Sequence, residues 1–197
     1  AGRPGGAAGK GVSGAQARIS CLAEAVERYA CGYTGHEPRR RDTLAGLGDD
    51  ALHPHSLQNF SERQYASRDA WNAQSDDFNW VPERFDASRV LDWTPAWSLA
   101  HGRVRWLPTR FCYFNYLDTA EAREETNHFC VADSNGCASG STLEEAILQG
   151  FLELVERDAC AMWWYNRLRR PAFDLDRLDL PFVRQVRAQV EAAGRGL

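Results

Sequence analysis

The feature that most constrains this chain is a helical phrase that occurs twice. The segment "ISCLAEAVERYAC" at residues 19–31 matches "LQGFLELVERDAC" at residues 148–160 without a gap, and six of the 13 positions are identical. The shift of 129 residues also places Gly11 on Gly140. An internal repeat at this distance predicts two related half-units packed about a pseudo-twofold axis. Chance similarity of two helices rich in common helix-forming residues is the alternative explanation.

Both phrases put acidic side chains on helices that are otherwise apolar. At about 100° per residue, Leu22 and Val26 fall on an apolar arc of the first helix, and Phe151 and Val155 fall on the same arc of the second. Carboxylates in an apolar setting are costly unless they are paired, and converging carboxylates repel one another. One such stripe is typical of a solvated surface, whereas two copies favour a bound cation. The stripes consist of Ser20, Glu24 and Glu27 in the first helix and Glu145, Gln149, Glu153 and Glu156 in the second, flanked by Arg28 and Arg157.

The donor atoms of the stripes narrow the choice of cation. The stripes contain no histidine, so the Glu-x-x-His pattern of helical di-iron sites is absent. Hard oxygen ligands favour Mg²⁺, Mn²⁺ or Ca²⁺, and Mg²⁺ is usually shared with substrate phosphates. Arg28, Arg157 and Lys10, the sole lysine among 23 basic residues, are suited to contact those phosphates. The physical interpretation is an Mg²⁺–nucleotide site between two related helices.

Other catalytic and metal-binding patterns are weak or absent. The "GKG" at residues 9–11 is not a Walker A loop, because Pro4 stands where its first glycine belongs and Gly11 replaces its Ser/Thr. The sequence has no Gly-x-Ser-x-Gly elbow and no Cys-x-x-Cys pair. The five histidines are dispersed, and "WWYNR" at residues 163–167 is typical of core or interface packing.

The composition is that of a globular protein that binds no nucleic acid. The 197 residues are 44% hydrophobic and 25% charged, which is enough for a sizeable core in one domain or two small ones. The net charge of −4 excludes a general nucleic-acid binder, and Arg39-Arg40-Arg41 predicts a solvated loop. We expect neither a membrane span nor a signal peptide. The first residue is not Met, and the chain stops just after a predicted helix, so we expect it to be part of a longer polypeptide.

Cysteine usage predicts a reducing compartment. The six cysteines form no metal-binding pattern, and two of them lie within helical phrases where a small apolar residue fits. We therefore expect reduced, mostly buried thiols and a cytoplasmic protein.

The order of predicted elements mixes helices and strands. We expect a glycine-rich loop over residues 1–14, helices over 15–32 and 181–193, and a long helix over 141–168 with Ser141 or Thr142 as its N-cap. The remaining predictions are short helices in "LHPHSL" and "SERQYASRDAW", two strands, "DWTPAWSLA" and "RVRWLPTRFCYFNY", joined by a tight turn at His101-Gly102, and a strand ending in a turn in "HFCVADSNG" (128–136).

Two long segments of the chain resemble a known family. "GKGVSGAQARISCLAEAVERYA" and "DSNGCASGSTLEEAILQGFLELVERDA" resemble the two signature segments of the YcaO superfamily. The intervening "LHPHSLQNFSERQYASRDAWNA", "FNWVPERFD" and "DWTPAWSLA" are similar to its azoline-forming branch, the D-type cyclodehydratases of thiazole/oxazole-modified microcin biosynthesis. The resemblance covers nearly the whole chain.

The resemblance implies a fold and a set of site residues. It implies an α/β YcaO-like domain of two related half-units, in which the long helices that carry the acidic stripes pack on an antiparallel sheet. Residues 1–197 are then a partial domain without the family's N- and C-terminal portions. It implies ATP and Mg²⁺ as cofactors at a site without a Walker motif. Many relatives have Asn where this chain has Ser141. By resemblance, the metal ligands are Glu24, Glu27, Glu145, Glu153 and Glu156, and the nucleotide contacts are Lys10, Ser20, Arg28, Ser141, Gln149 and Arg157.

The family's chemistry is peptide cyclodehydration. A Cys, Ser or Thr side chain of a ribosomally made precursor peptide attacks the preceding amide carbon, ATP phosphorylates the amide oxygen, and phosphate leaves to give a thiazoline or oxazoline. The resemblance implies no covalent nucleophile. The partners that it implies are the precursor peptide, a leader-peptide-binding protein (C-type or E1-like) and, as one option, a second copy of the chain in a homodimer. Two alternatives stay open, namely a thioamide- or amidine-forming enzyme of the same fold and a non-catalytic scaffold of the same pathway.

Overall fold

The computed structural model describes residues 6–74, 79–125 and 127–195 and divides them into two compact units. The first unit runs from Glu27 to Cys137, and the second joins Gly6–Val26 to the chain from Ala138 onwards. The helices are α1 (Gly14–Ala30), α2 (Leu44–Leu47), α3 (His55–Gln58), α4 (Glu62–Ala66), α5 (Arg68–Asn72), α6 (Thr109–Cys112), α7 (Ala120–Glu124), α8 (Leu143–Tyr165) and α9 (Pro181–Ala192). The strands are β1 (Arg40–Asp42), β2 (Leu91–Ser98) and β3 (Arg103–Pro108), and short 3-10 turns lie at Gly48–Asp50, Tyr116–Asp118 and Leu175–Arg177.

An antiparallel sheet in the order β1-β2-β3 forms the frame of the first unit. The strand β1 pairs with β2 only as far as Trp93, whereas β3 pairs with β2 along its length. Pro95 therefore lies where β2 has lost its neighbour on one side, which is where a residue without an N–H is tolerated. The predicted hairpin is confirmed, and its turn closes at Gly102, whose φ of 60° favours glycine.

The core of the first unit packs against the start of β2. Trp93 is fully buried, and its indole Nε1 donates to the Asp42 carbonyl at 3.0 Å, which ties β2 to the end of β1. Phe85 and Phe129 meet edge to face with ring centroids 4.8 Å apart. The buried members of this core are Leu47, Phe85, Leu91, Trp93, Phe129 and Cys130.

A buried polar network lies in the first unit. Arg110 and Glu125 form an ion pair in which both side chains are 1% exposed, with Arg110 Nε 3.5 Å from Glu125 Oε2. The Tyr116 hydroxyl donates to Glu125 at 2.8 Å and approaches Asp92 at 3.2 Å, and the Asp92 N–H donates to Glu125 at 3.1 Å. Burial raises the pKa of the Glu125 carboxyl above its usual value. The network thus holds β2 against the segment that follows β3.

Three sequence-based expectations for this unit are wrong. The segment 128–136 contains the predicted turn but no strand, because its backbone bonds to Glu83 rather than to a ladder: the Glu83 N–H donates to the His128 carbonyl at 3.0 Å. The arginine run is not a loop, since Arg40 and Arg41 lie in β1 and Arg39 pairs with Asp92 at 3.1 Å. The second hairpin strand stops at Pro108, after which the chain turns into α6.

The second unit contains the long helix α8 and most of α1. Helix α1 lies within two residues of its predicted bounds. Helix α8 begins after its predicted cap Thr142 but ends at Tyr165, three residues before the predicted end at Leu168, and the apolar arcs of both helices are exposed. Leu22 in α1 is 67% exposed and Phe151 in α8 is 58% exposed, and Gly150 is the only buried residue of α8 in the described part of the chain. The mixed α/β architecture is thus confirmed, while the pseudo-twofold arrangement and the packing of the long helices on the sheet stay predictions.

The two repeats begin their helices in the same way. The Gln16 N–H donates to the Ser13 hydroxyl at 3.3 Å, and its side chain accepts from the Val12 N–H at 2.9 Å. At the shift of 129 residues, the Glu145 N–H donates to the Thr142 hydroxyl at 3.2 Å, and its side chain accepts from the Ser141 N–H at 2.7 Å. Each start is a variant of the capping box. The alignment made from sequence is therefore matched, bond for bond, by local structure.

A glycine precedes both helix starts for a steric reason. A Cβ on Gly140 would lie 2.5 Å from the backbone nitrogen of Ala146. A Cβ on Gly11, which corresponds to Gly140 in the other repeat, would collide with Gln16. We expect Gly140→Ala to lower the free energy of unfolding by about 1–3 kcal/mol, because the backbone of α8 must shift to admit the methyl group. Urea unfolding of the full-length protein measures this, with Gly14→Ala as the control, since a Cβ on Gly14 meets no atom within 4 Å. Equal stabilities of the two variants would contradict the steric reason.

The six cysteines, all in the described part of the chain, form no disulfide, but the expectation of mostly buried thiols is wrong. Cys130 alone is buried, four are half-buried and Cys160 is exposed. Burial raises the pKa of the Cys112 thiol to about 12 and also raises the pKa of Cys130.

These differences predict selective alkylation. We expect iodoacetamide at pH 8 to modify Cys160 at least tenfold faster than Cys112 or Cys130, because the thiolate attacks and the raised pKa values of Cys112 and Cys130 keep these two thiols protonated. Mass spectrometry of tryptic peptides over time measures the rates, and the guanidinium-unfolded protein, in which all six sites react, is the control. Native rates that are equal at Cys130 and Cys160 would contradict the burial of Cys130.

No helix among the described residues combines the length and apolarity that a membrane crossing requires.

Candidate functional site

The acidic stripe of α1 lies beside the segment that precedes the helix. Glu24 is half-buried, and its Oε2 accepts from the Ala8 N–H at 2.9 Å. The Cys21 thiol donates to the Ala7 carbonyl at 3.4 Å, so the incoming chain runs along the helix. The structure therefore brings the backbone that leads into Lys10 to the predicted ligand Glu24.

The "GKG" segment has a packing role that the sequence did not reveal. A Cβ on Gly9 would collide with the Ala17 carbonyl, so glycine permits the backbone to contact α1. Between Gly9 and Gly11 the side chain of Lys10 is exposed. A close approach of backbone to helix, rather than a phosphate-binding loop, explains these glycines. Of the other predicted residues of α1, Ser20 and Glu27 are half-buried and Arg28 is exposed in the last turn.

The start of α8 forms a cavity with the apolar arc of α1. Ser141 and Glu145 line a cavity of about 350 Å³ together with Leu22 and Val26. The Ser139 hydroxyl donates to the Ala23 carbonyl at 2.8 Å and fixes this approach. The predicted nucleotide contact Ser141 and the predicted ligand Glu145 thus lie together, next to the apolar arc of α1.

Farther along α8, the predicted residues are separated by helical spacing. Glu153 is half-buried and pairs with Arg157, whose Nε lies 3.4 Å from Glu153 Oε1. Gln149 and Glu156 are exposed. Because residues four apart share one helix face, Glu145, Gln149 and Glu153 remain on a single stripe as predicted.

The donor chemistry of these residues fits Mg²⁺, but they form no preassembled shell. Among residues 6–74, 79–125 and 127–195, no group of three or more His, Cys, Asp or Glu side chains is arranged to hold a metal ion. The Glu24 carboxylate accepts from the Ala8 N–H and the Glu145 carboxylate accepts from the Ser141 N–H. The Glu153 carboxylate forms an ion pair with Arg157. Their carboxylate oxygens are the ligand type that Mg²⁺ takes, so the five glutamates remain predicted ligands.

Sequence reasoning missed one residue at the cavity, Ser139, and a second role of the predicted ligand Glu145. Ser139 holds the entry to α8 against α1, and Glu145 caps its own helix in addition to its predicted role. The cap was visible in the sequence, because Thr142-x-x-Glu145 has the spacing of a capping box. The bond from Ser139 joins residues 116 positions apart and has no local signal.

Comparison with known proteins identifies the family. The model of the family described as YcaO cyclodehydratase, ATP- and Mg²⁺-binding, matches residues 8–197. The chain belongs to the YcaO family. A solved heterocyclase in complex with substrate and cofactor is 49% identical, with a TM-score of 0.83 over 94% of this chain and 24% of that chain. The heterocyclase TruD is also 49% identical, with a TM-score of 0.75 over 91% of this chain and 26% of that chain.

A more distant structure shares the YcaO fold. The YcaO protein from Methanopyrus kandleri, bound with AMPPCP and Mg²⁺, is 23% identical, with a TM-score of 0.55 over 95% of this chain and 39% of that chain. This chain thus spans about a quarter of the two heterocyclases and less than half of the archaeal protein. ATP and Mg²⁺, the expected cofactors, are confirmed as those of the YcaO family.

Proposed function

We propose that this YcaO chain is part of an ATP- and Mg²⁺-dependent enzyme that forms thiazolines or oxazolines in a ribosomally made peptide. The observation that carries the proposal is the 49% identity to a heterocyclase in complex with substrate and cofactor, over 94% of this chain. The proposed pathway is that of thiazole/oxazole-modified microcins, with a precursor peptide as substrate and a leader-peptide-binding protein as partner. A reaction that consumes ATP fits the cytoplasm.

The proposed reaction removes one water from the peptide while ATP is converted to ADP and phosphate. The thiol or hydroxyl of Cys, Ser or Thr adds to the preceding amide carbon, and the amide oxygen takes the γ-phosphoryl group of ATP, which becomes ADP. Phosphate then leaves with that oxygen, and the ring C=N bond forms as the proton on nitrogen is lost. The peptide loses one water, and ATP has become ADP and phosphate. Positioning and charge neutralisation are what a protein contributes to such a transfer.

The residues of this chain have proposed roles in that transfer. The five glutamates of the two stripes would hold Mg²⁺, which neutralises phosphate charge when it is bound. Lys10, Ser20, Arg28, Ser141, Gln149 and Arg157 would contact the nucleotide, and the arginines suit phosphate oxygens by their planar fork. The exposure of Lys10, Arg28, Gln149 and Arg157 and the cavity at Ser141 support these roles, because each side chain is accessible to a ligand.

The decisive experiment follows the mass of the peptide. The full-length gene product is incubated with its leader-binding partner, a Cys-containing precursor peptide and MgATP. We expect a loss of about 18 Da per modified residue, which is one water, together with one ADP per ring. The matched control replaces each Cys, Ser and Thr of the peptide with Ala and should show no mass change.

Other outcomes would identify the two alternatives. A gain of about 16 Da on addition of sulfide, which replaces oxygen by sulfur, would point to a thioamide-forming enzyme. An unchanged mass with ATP bound would point to a scaffold, an alternative supported by Ser141, which stands where the family resemblance implies Asn. Either result overturns the azoline proposal.

A further inference from the structure

Two histidines join the segment 53–66 to the core of the first unit. The rings of His53 and His55 are half-buried and meet edge to face, with centroids 4.8 Å apart. The His53 ring also packs edge to face on Phe85, a core residue that is 8% exposed, with centroids 5.2 Å apart. The Phe85 N–H donates to His55 Nε2 at 3.5 Å. Both imidazoles therefore connect this segment to Phe85.

The hydrogen bonds of the pair require both imidazoles to be neutral. The His55 N–H donates to His53 Nδ1 at 3.2 Å, at the start of α3. Because a backbone N–H can only donate, the proton of the neutral His53 ring lies on Nε2, and by the same argument that of His55 lies on Nδ1. Protonation of either ring would turn its acceptor nitrogen into a donor that faces another donor, and the hydrogen bond would be lost.

The surroundings of the pair disfavour a positive charge. Burial, and then the neighbouring His55, lower the pKa of His53 below its ordinary value. Glu62 is an acid close to His55, but its two carboxylate oxygens accept from Arg84 at 3.0 and 2.6 Å. Arg84 also covers the Tyr65 ring at 4.5 Å, and that ring packs against His55 at 4.9 Å. A proton on the pair therefore adds positive charge near a guanidinium and a second imidazole.

We propose that His53 and His55 form a proton-sensitive latch, which holds the segment 53–66 at neutral pH and releases it in acid. Two imidazolium ions at this separation would repel each other and would no longer accept from the two backbone N–H groups. Release opens a cavity of about 390 Å³ in the first unit, because the segment supplies three of its lining residues, Leu57, Gln58 and Phe60. The latch goes beyond the proposed cyclodehydration and is measured without ATP or Mg²⁺, so the two proposals fail separately.

The release should follow pH in a defined direction. The pKa of His53 is lowered in the folded protein, so the stability contributed by the neutral ring is present above the ordinary histidine pKa of about 6.5 and is lost as the pH falls below it. Hydrogen exchange of the full-length protein, followed by mass spectrometry and corrected for the intrinsic effect of pH, measures the local stability.

Two regions of the first unit are compared in this experiment. We expect the protection factors of peptides from residues 53–66 to fall at least about fivefold between pH 7.5 and pH 5.0, whereas those of β2 and β3 change less than about twofold. An equal fall in both regions would indicate acid unfolding of the whole unit and would overturn the proposal. A constant protection of residues 53–66 would overturn it as well.

Two substitutions remove the titration and keep the acceptors. In His53→Asn the amide Oδ1 takes the place of Nδ1, and in His55→Gln the amide Oε1 takes the place of Nε2. We expect the protection of residues 53–66 in the double variant to change less than about twofold between the two pH values. His53→Asn alone should give a change between those of the double variant and the wild type. Because the readout is the ratio between two pH values in one variant, a general loss of stability does not imitate this result.

The matched control is an exposed histidine of the same unit. His36→Asn removes one titrating group outside the segment 53–66 and should keep the wild-type fall in protection. A wild-type fall in the double variant would overturn the proposal, since the segment would then respond to another group. Loss of the pH response in His36→Asn would overturn it for the same reason.

Discussion

Replacing Arg110 with methionine is expected to lower the free energy of unfolding by roughly 3–5 kcal/mol at pH 7.5. The substitution leaves the carboxylate of Glu125 buried without its ion-pair partner, and both side chains are 1% exposed. It also removes the hydrogen bond from Arg110 Nη1 to the Asn127 carbonyl, whereas the methionine can still pack on the Phe129 ring that the guanidinium covers at 5.0 Å. Urea unfolding of the full-length protein, followed by near-ultraviolet circular dichroism, measures the loss.

The loss should depend on pH in a defined direction. Burial already raises the pKa of Glu125, and removal of Arg110 raises it further, so the folded variant binds a proton that the unfolded chain has released. The loss of stability caused by the buried charge is therefore absent below the pKa that Glu125 has in the unfolded chain. It grows as the pH rises toward the pKa that Glu125 has in the folded variant. We expect a smaller loss at pH 4.5 than at pH 7.5.

Two controls separate the buried charge from other effects. The double variant Arg110→Met, Glu125→Gln should recover part of the stability, because the amide still accepts from Tyr116 without carrying a charge. Arg84→Met removes the exposed ion pair with Glu62 and should cost less than about 1 kcal/mol. A loss at Arg110 no larger than that at Arg84 would contradict the role of the buried pair.

Neutralising the acidic stripes is expected to abolish Mg²⁺-dependent nucleotide binding. Glu24→Gln and Glu153→Gln each remove one of the carboxylates proposed to hold the metal. Glutamine is preferred to alanine at position 24, since its amide oxygen can still accept from the Ala8 N–H and keep the incoming segment in place. Titration of a non-hydrolysable ATP analogue into the full-length protein, with and without Mg²⁺, should show at least about a hundredfold weaker binding in each variant, a loss of roughly 2.7 kcal/mol.

The control for this experiment lies on the same helix. Glu144→Gln removes a charge in the first turn of α8, next to Glu145 but outside the predicted stripe. Its nucleotide affinity should stay within about threefold of the wild type, because it loses only the favourable interaction of one carboxylate with the helix dipole. Wild-type affinity in both Glu24→Gln and Glu153→Gln would refute the assignment of the stripes.

The helices and the hairpin could be predicted because their signals are local. The 3.6-residue period marks α1 and α8, and the alternation around His101-Gly102 marks β2 and β3. The strand β1 was missed because its three residues, "RRD", are charged and gain their pairing from β2, which lies about 50 residues later. The segment at 128–136 has strand-like composition, but its partner is the single residue Glu83 rather than a strand.

The site could be predicted only in part, for a similar reason. Helical spacing places Glu145, Gln149 and Glu153 on one stripe without any knowledge of the fold. The hydrogen bond from Ser139 to α1 and the ion pair of Arg110 with Glu125 join chain segments that meet only after folding. The spacing of residues in the sequence therefore does not predict either interaction. The exposure of the apolar arcs was also not foreseen, because periodicity identifies an arc but not what covers it.

The two helix starts share a hydrogen-bond geometry that their residue identities do not share. Serine and threonine both act as helix caps, and the side chains of glutamine and glutamate both accept a hydrogen bond from a backbone N–H. The geometry therefore stays intact whether the cap is serine, as at Ser13, or threonine, as at Thr142. It also stays intact whether the acceptor is glutamine, as at Gln16, or glutamate, as at Glu145. The fold therefore tolerates these exchanges, even though Gln16 is neutral and Glu145 carries a carboxylate. Searches for distant relatives should accordingly weight the spacing of glycine, cap and acceptor above the identity of any one of them.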